Sequence, residues 1–469
     1  MATPFMAECT SSTGGNSSND NNGSSPSLIV NMAQEHLFTI LLLLPVESIL
    51  SFSMTCKKFR SLTGSDTLWE YICRREWGPT SVDALKYSIR NNRQLPWMRL
   101  YKQMSQLDSV SCHRLSDPVR DLMFPSPRAS HSLNFVSDCL VLFGGGCEGG
   151  RHLDDTWIAY VGNDIQRRLT WHKVSSGIPS GRFGHTCVTI GDHLVLFGGI
   201  NDCGIRQCDT WVGQVEFSDN LCITLSWKLL DVGSIAPPPR GAHAACCIDK
   251  RKMVIQGGIG LSGLRLDDTW ILELSDDLHF GIWRELVTHP TPAARSGHSL
   301  TFTGGTGMVL FGGRGSGYDV LNDVWLLQMS EEQMKWIQMP YELQSIPEGV
   351  SLPRVGHSAT LILGGRLLIY GGEDYFRHRK DDFWVLDVNA IPMQPTALSS
   401  KGTQANMWKR LKPKGYKPTS RSFHRACMDQ SGRYLFVFGG MVDGLLQPAE
   451  SPGLRFDGEL FMVDLMPLP

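Results

Sequence analysis

Residues 140–157 read LVLFGGGCEGGRHLDDTW: an apolar strand, a double glycine and a tryptophan 13 residues after the first glycine. The strand and glycine pair occur six times, and the first glycines are separated by 54, 59, 55, 59 and 68 residues. In the first five copies the tryptophan keeps its distance of 13 residues. Such constancy indicates a repeated structural unit rather than a local motif. The first glycines are Gly144, Gly198, Gly257, Gly312, Gly371 and Gly439, and the tryptophans are Trp157, Trp211, Trp270, Trp325 and Trp384.

Two further signals accompany the glycine pairs. An Arg-x-x-His motif stands upstream in all six copies, and a strand led by tryptophan follows downstream in five. Each unit therefore holds four short strand signals with Gly, Pro or Asp between them. Six such units predict a mainly β fold, a six-bladed propeller rather than a solenoid, because every strand is short and bounded by turns. The motifs are Arg128/His131, Arg182/His185, Arg240/His243, Arg295/His298, Arg354/His357 and Arg421/His424.

These units resemble kelch repeats, and the resemblance covers residues 109–465. The last unit has no closing tryptophan strand. Ser111 to Leu115 precede the first Arg-x-x-His motif much as Thr170 to Val174 precede the second, with Cys112 in the tryptophan position. We predict that residues 109–115 form the strand that completes the sixth blade, which would close the ring and remove exposed sheet edges.

A polar segment and a helical segment come before the propeller. Residues 9–28 are dominated by Ser, Asn, Gly, Thr and Asp, so we expect residues 1–31 to be a disordered tail. Helical spacing of apolar residues then predicts one helix ending at Pro45 and a second, amphipathic helix from Ile49 to Phe59. Residues 79–108 are expected to form a helical linker.

Residues 32–78 resemble an F-box. The resemblance lies in the leucine run 41–44 with Pro45, in Cys56-Lys57, in Phe59-Arg60 and in the late Trp69. It implies that this segment docks on a Skp-type adaptor and, through it, joins a cullin. The residues expected to contact the adaptor are Leu37, Leu41, Leu44, Pro45, Ile49 and Leu50.

Composition limits the partners and the compartment. A net charge of −2 and a pI near 6.7 give no global basic surface, so no nucleic acid is expected as a partner. The longest apolar stretch, residues 37–46, is far shorter than the roughly 20 residues that cross a bilayer, so no membrane partner is expected. The 13 cysteines form no CxxC pair, which favours reduced thiols and therefore a cytoplasmic or nuclear protein.

Residue types that recur in all six units are expected to build blades. We therefore interpret the Arg-x-x-His motifs as structural; the alternative is a cationic lining at one mouth of the channel. Residues that differ between units, in the loops after Gly-Gly and before Arg-x-x-His, should select the partner, since Arg and aromatic side chains anchor most interfaces. A solvated loop is the alternative there. The candidate substrate-binding residues are Arg151, Arg206, Arg265, Arg314, Tyr318, Tyr375, Phe376, Arg377 and Arg379.

An F-box followed by a kelch propeller implies a substrate receptor of an SCF (Skp-cullin-F-box) ubiquitin ligase, with an unidentified protein substrate on the propeller and no catalysis by this chain itself. The domain order is similar to plant light-sensing F-box/kelch proteins, which carry a flavin domain before the F-box. Only about 30 polar residues stand there in this sequence. No flavin or other cofactor is therefore expected.

Two alternatives stay open. The chain could be a kelch scaffold without ligase activity, since Met32-Ala33 stands where F-boxes usually have Leu-Pro. It could also be a metal-dependent kelch enzyme, because iron-dependent kelch proteins that redirect thioglucoside breakdown use Glu-x-x-x-Asp-x-x-x-His. Asp374 and His378 fit that pattern, but Tyr370 occupies the leading position, so no metal is expected.

Overall fold

The computed structural model describes residues 28–89, 95–115, 123–162, 169–175, 177–217, 223–304, 307–329, 334–339, 352–388, 407–444 and 453–467. The chain divides into two compact units, residues 1–68 and 69–469. The predicted fold class is confirmed: short helices precede a strand-rich propeller of six blades. Of the tail predicted for residues 1–31, residues 1–27 lie outside the described part of the chain.

Within the described residues, six α-helices precede the first strand. Pro45 separates the first two, because proline cannot donate the backbone hydrogen bond that would continue the first helix. The helices are α1 (Gln34–Leu43), α2 (Val46–Ser53), α3 (Lys57–Thr63), α4 (Asp66–Trp77), α5 (Pro79–Ile89) and α6 (Trp97–Gln106).

The single helix predicted from Ile49 to Phe59 is wrong, because α2 ends at Ser53 and α3 begins at Lys57. At the break, the Ser53 and Thr55 hydroxyls donate to the Leu50 and Phe52 carbonyls at 2.5 and 2.8 Å. Such local bonds compete with continuation of a helix. The Phe52 and Phe59 rings stack at 3.9 Å, so the helical spacing reflects one helix packing on the next.

Helices α4 and α6 pack on one another and α6 is fastened to the propeller. The Tyr101 ring of α6 stacks on Trp77 of α4 at 5.8 Å, and its hydroxyl donates to Glu76 at 2.7 Å. At the end of α6, Gln103 Nε2 donates to the Pro467 carbonyl at 3.1 Å, and Arg366 donates to the carbonyls of Met104 and Ser105. The segment predicted as a linker thus contains two helices, of which α6 is anchored on the sheet.

Each blade has its strands in sequential order, with antiparallel neighbours. The first strand of the chain is β1 (Ser109–Arg114). Blade 1 is β2 (Ser132–Val136), β3 (Cys139–Phe143), β4 (Thr156–Tyr160) and β5 (Trp171–Ser175). Blade 2 is β6 (Thr186–Ile190), β7 (His193–Phe197), β8 (Thr210–Phe217) and β9 (Ile223–Leu229). Blade 3 is β10 (Ala244–Ile248), β11 (Lys252–Ile259), β12 (Arg265–Leu274) and β13 (Gly281–Glu285).

The remaining blades repeat this plan. Blade 4 is β15 (Ser299–Gly304), β16 (Gly307–Phe311), β18 (Val324–Met329) and β19 (Met334–Met339), with the short pair β14 (Arg295–Ser296) and β17 (Arg314–Gly315) beside it. Blade 5 is β20 (Ser358–Ile362), β21 (Arg366–Tyr370), β22 (Phe383–Leu386) and β23 (Trp408–Gly415). Blade 6 contains β24 (Arg421–Ser422), β25 (Arg425–Met428), β26 (Tyr434–Gly444) and β27 (Gly453–Asp464).

Strand β1 provides the outer strand of blade 6. It pairs antiparallel with β27, with Cys112 opposite Val463, and parallel with β23, with Cys112 opposite Gly415. The side chains of Val110 and Cys112 are buried. The first and last strands of the propeller therefore meet in one sheet, which also joins blades 5 and 6.

A ring of six backbone hydrogen bonds encircles the propeller axis. The residue just before each motif histidine donates its N–H to the carbonyl of the equivalent residue in the preceding blade, at 2.6 to 2.9 Å, and the bond from Ser130 to Phe423 closes the circle. All six residues have positive φ, a conformation that favours glycine. They are Ser130, Gly184, Ala242, Gly297, Gly356 and Phe423.

Each motif arginine is buried and clamps two loops of its own blade. In blade 1, Arg128 donates to both carboxylate oxygens of Asp155 at 2.6 and 3.1 Å and to the Gly144 carbonyl at 3.0 Å. Trp157 donates its indole N–H to the same carboxylate at 2.7 Å. Burial raises the pKa of Asp155, but the hydrogen bonds and positive charge of Arg128, together with the hydrogen bond from Trp157, outweigh it and hold the pKa below its usual value. Blades 2 to 5 repeat this Asp-x-Trp arrangement with Asp209, Asp268, Asp323 and Asp382.

The double glycine is required by contact between blades. Gly144 has φ +66, and a Cβ there would lie 2.9 Å from the Arg182 carbonyl of blade 2. The N–H of Gly145 donates to that same carbonyl at 2.9 Å. A side chain at the first glycine would therefore force neighbouring blades apart.

The motif histidines fill the seams between blades. His185 packs edge-on against Phe143 of the preceding blade at 5.3 Å, and four of the other five histidines make the same contact with an aromatic ring. Burial, reinforced by the neighbouring arginine, lowers the pKa of each histidine well below its usual value, and that of His357 to about 3. With the arginines paired and the histidines neutral, the structural interpretation of Arg-x-x-His is confirmed and the cationic lining is wrong for these residues.

Removing β1 should destabilise the propeller. A chain lacking residues 1–115 loses the buried side chains of Val110 and Cys112 and exposes the edge of β27. A chain lacking residues 1–108 keeps both buried side chains and the covered edge of β27. We expect the shorter chain to lose about 3 kcal/mol or more of unfolding free energy, at about 1.5 to 3 kcal/mol for a fully buried apolar side chain. Urea denaturation compares the two, and equal midpoints would contradict the role of β1.

The neutral histidines should make the propeller sensitive to mild acid. Their pKa in the unfolded chain is about 6.5 and lower in the fold, so the unfolded state binds more protons between these values. The contribution of the neutral histidines to the free energy of unfolding is then fully present above about pH 6.5. The free energy of unfolding falls as the pH drops below this value, by up to about 1.4 kcal/mol per histidine per pH unit. Urea denaturation at pH 7.5, 6.5 and 5.5 measures this, and a flat profile would show that the histidines are protonated in the fold.

Candidate functional site

The innermost strands of the six blades surround a central channel with two adjoining cavities. The inner cavity, about 220 Å³, is lined by the first residues of these strands in all six blades. The loop-side cavity, about 270 Å³, is lined by the residues of the backbone ring and by loops that follow the glycine pairs, including Arg265, Arg314 and Met441. Arg425 and His298 line both, so the two cavities are parts of one channel.

The position after each motif histidine faces this channel and carries a hydroxyl in four blades. Thr186 bonds to His243 Nε2 at 2.7 Å, and Ser299 bonds to His357 at 2.9 Å. Ser358 bonds in the same way to His424 at 3.0 Å, so three of the four hydroxyls bond to the histidine of the following blade, whereas Ser132 donates to the Phe143 carbonyl. The residues at this position in blades 1 to 5 are Ser132, Thr186, Ala244, Ser299 and Ser358.

Blade 6 departs from the repeat on both sides of its motif histidine. Arg425 replaces the small residue that faces the channel, and its Nε donates to the His131 carbonyl at 2.8 Å. Phe423 replaces the small residue of the backbone ring and keeps the positive φ, 56°, which is rare for a bulky side chain. A Cβ on Gly356 would lie 2.9 Å from the Phe423 ring, so this ring covers the neighbouring blade at the channel. Neither residue is among those predicted from the sequence, although an alignment of the six copies at their histidines reveals both.

Two of the predicted substrate-binding arginines are engaged within the protein. Arg379 is buried and bonds to Glu373, Asp443 and Ser422. Arg314, half-buried, donates to the other oxygen of Glu373 at 3.2 Å. For Arg379 the prediction needs correction: its guanidinium holds three loops together instead of facing a partner.

The other predicted residues lie on the loop face to different extents. Arg265 and Arg206 are half-buried, and the Arg265 guanidinium lies over the Tyr318 ring at 4.7 Å. Tyr375 and Phe376 form an exposed edge-to-face pair at 5.5 Å. We call the exposed predicted residues the loop-face patch: Arg151, Tyr318, Tyr375, Phe376 and Arg377. Part of the insertion after Met441, residues 445–452, lies outside the described residues.

The three residues considered for a metal site are not arranged to share a metal ion. Tyr370 is fully buried and stacks on Phe383 at 4.4 Å. The Asp374 carboxylate accepts from Lys380 at 2.8 Å, while the His378 side chain is largely exposed. Across the described part of the chain, no three His, Cys, Asp or Glu side chains are grouped as metal ligands.

The helical segment presents an apolar surface that differs from the predicted one. Leu37, Leu41 and Ile49 are buried, so these three predicted adaptor contacts belong to the interior of the segment. Pro45 and Leu50 are exposed, as are Leu43 and Met54, and Leu44 is half-buried. The sequence analysis missed Leu43, 81 % exposed, and Met54, 78 % exposed. We call the exposed set Leu43, Pro45, Leu50 and Met54 the helical patch.

Comparisons with known proteins agree with this architecture. Residues 34–75 match the F-box-like family model, and residues 104–274 and 214–391 match the KLHDC2/KLHL20/DRC7 Kelch-repeats domain. The chain is 61% identical over 462 residues to F-box/kelch-repeat protein At1g51550 of Arabidopsis thaliana, covering 96% of this chain and 95% of that protein. It is 31% identical over 415 residues to putative adagio-like protein 2 of Oryza sativa subsp. japonica, covering 86% of this chain and 60% of that protein.

In the described residues, no helix has both the length and the apolar character needed to cross a bilayer. The six-bladed propeller, the helical segment with its apolar patch and the two family matches lead to the same assignment. The chain belongs to the F-box/kelch-repeat protein family.

Proposed function

We propose that this chain is the substrate-recognition subunit of an SCF ubiquitin ligase. The observation that carries the proposal is the combination, in one chain, of an F-box match at residues 34–75 and a closed kelch propeller. F-box domains bind Skp-type adaptors and kelch domains bind protein substrates. The cullin would join through the adaptor.

The helical patch supports an adaptor interface. Leu43 and Met54 are among the most exposed apolar side chains of the chain, and Leu50 is 43 % exposed. Large apolar side chains exposed together on a small helical segment are typical of a surface that a partner covers.

The chain would act by proximity rather than by bond chemistry. A receptor that holds substrate and adaptor together raises the concentration of substrate lysines near a conjugating enzyme bound elsewhere in the assembly. The loop-face patch would hold the substrate, since it combines Arg and aromatic side chains. We also propose a cytoplasmic or nuclear location, where free buried thiols such as Cys139 and Cys246 stay reduced.

Charge substitutions in the helical patch should weaken adaptor binding. Leu43→Glu and Leu50→Glu, made separately in the full chain, place a carboxylate in the apolar interface and should weaken binding at least tenfold, which is about 1.4 kcal/mol. Both side chains are exposed, so the melting temperature should not change. Co-purification with a Skp-type adaptor and cullin is the measurement.

Met98→Glu is the matched control, because Met98 is exposed on α6 outside the F-box match. Adaptor that binds the Leu43 and Leu50 variants as well as the control would leave a kelch scaffold as the function.

Removing aromatic anchors from the loop-face patch should reduce substrate modification. Tyr375→Ala with Phe376→Ala removes the exposed ring pair without touching the Arg379 network. We expect ubiquitin conjugates that depend on this chain to fall several-fold in cells expressing the variant, with adaptor binding retained. Quantitative ubiquitin-remnant proteomics measures this.

The control pair is Phe217→Ala with Phe280→Ala. These rings are also exposed, but they lie at the β8–β9 and β12–β13 turns, which antiparallel strand order puts at the opposite end of the propeller. Equal loss of conjugates in both pairs would contradict recognition by the loop-face patch.

A further inference from the structure

At the channel-facing position that follows the motif histidine, Arg425 is the charged residue among the six blades. The equivalent residues of the other five blades are Ser, Thr or Ala. The side chain lines both cavities, and burial lowers the pKa of Arg425 only to about 10, so it stays charged at neutral pH.

This guanidinium lacks a counter-charge among the described residues. Its Nε donates to the His131 carbonyl, and no carboxylate of the described chain lies within salt-bridge distance. Neither cavity is lined by a described Asp or Glu. The six motif arginines give the contrast, because each of them pairs with a carboxylate of its own blade.

The Arg425 side chain is half-buried in the channel and has no carboxylate partner among the described residues, so an anion that enters the channel meets an unpaired cation there. A guanidinium has five N–H donors, and the two terminal nitrogens have no partner in the described residues. They form a planar fork that matches two oxygens of one carboxylate or phosphate.

The remaining channel lining suits an anion and not a cation. Arg265 adds positive charge at the loop-side cavity, where Arg314 is paired with Glu373, and Ser132, Ser299 and Ser358 place hydroxyls around the inner cavity. The motif histidines are neutral and add no charge. Phe423 lines the loop-side cavity together with Arg425.

We propose that the central channel binds one small free oxyanion, of phosphate or carboxylate chemistry, held by the Arg425 fork. The cavities, about 220 and 270 Å³, admit an ion from the size of inorganic phosphate to that of a tricarboxylate. The proposal is independent of the ligase function, because it concerns the propeller alone. Bound anion would stabilise the closed ring at the blade where both chain ends meet.

The test is titration of the full chain with sodium phosphate and, separately, with sodium citrate, at an ionic strength kept constant with sodium chloride. Calorimetry should show one saturable site per chain for at least one of the two anions. The melting temperature should rise by a few degrees at saturation, because the ligand binds only the folded state. Which anion binds decides between phosphate and carboxylate chemistry.

Arg425→Ser restores the residue type of three other blades and should weaken binding about 10- to 100-fold. Without added phosphate or citrate its melting temperature should equal or exceed that of the unsubstituted chain, because the unpaired charge is gone. Arg377→Ser, which removes an exposed arginine of the loop-face patch, is the matched control and should bind normally. Arg425→Gln replaces the serine variant if that chain does not fold.

Two results would overturn the proposal. One is the absence of saturable binding of both anions to the unsubstituted chain. The other is binding that survives Arg425→Ser or Arg425→Gln with unchanged affinity, because the anion would then lie elsewhere.

Discussion

The buried clamp between an arginine, an aspartate and a glycine carbonyl is the contact on which each blade depends. In blade 4, Arg295 holds Asp323 at 2.6 Å and the Gly312 carbonyl at 3.0 Å. The clamp fixes the loop after the glycine pair, and in the other five blades the arginine carbonyl accepts from a glycine N–H of the preceding blade, as Arg182 does from Gly145. A charge buried in this way needs its partner in place, since breaking a buried pair costs about 3 to 5 kcal/mol. Internal blade geometry and the contacts between blades therefore depend on the same side chain.

In blade 6 the motif arginine pairs with different carboxylates, and this blade also contains the residues that depart from the repeat at the channel. Arg421 pairs with Asp457 and Glu459 instead of an Asp-x-Trp carboxylate, and its guanidinium lies over the Phe461 ring at 5.1 Å. The same blade carries Phe423 and Arg425 on the channel and receives its outer strand from the start of the chain. Blades 1 to 5 thus share one clamp arrangement, whereas blade 6 keeps the closed ring with a different set of side chains.

The repeated features of the propeller could be predicted because the same physical demand recurs six times in one chain. The glycine pairs and Arg-x-x-His motifs were found this way, and the aspartate two residues before each tryptophan, such as Asp268, could have been found by its equally constant spacing. Features that occur only once in the chain could not be checked against other copies in this way. Apolar spacing across α2 and α3 could not distinguish one helix from two packed together. Apolar spacing also could not distinguish buried Leu41 from exposed Leu43. In the same way, the sequence alone could not distinguish buried Arg379 from exposed Arg377, because both members of each pair have the same chemistry.

The pairing of β1 with β27 sets an order of events during synthesis. Strand β1 is synthesised before all the other strands of the propeller, whereas its antiparallel partner β27 follows the five complete blades. Until then the outer edge of the future sixth blade has no neighbour, and unpaired edges associate with other chains. A message cut short before β27 would yield a ring that stays open, even with five blades complete. Closure of the ring therefore waits for the synthesis of β27.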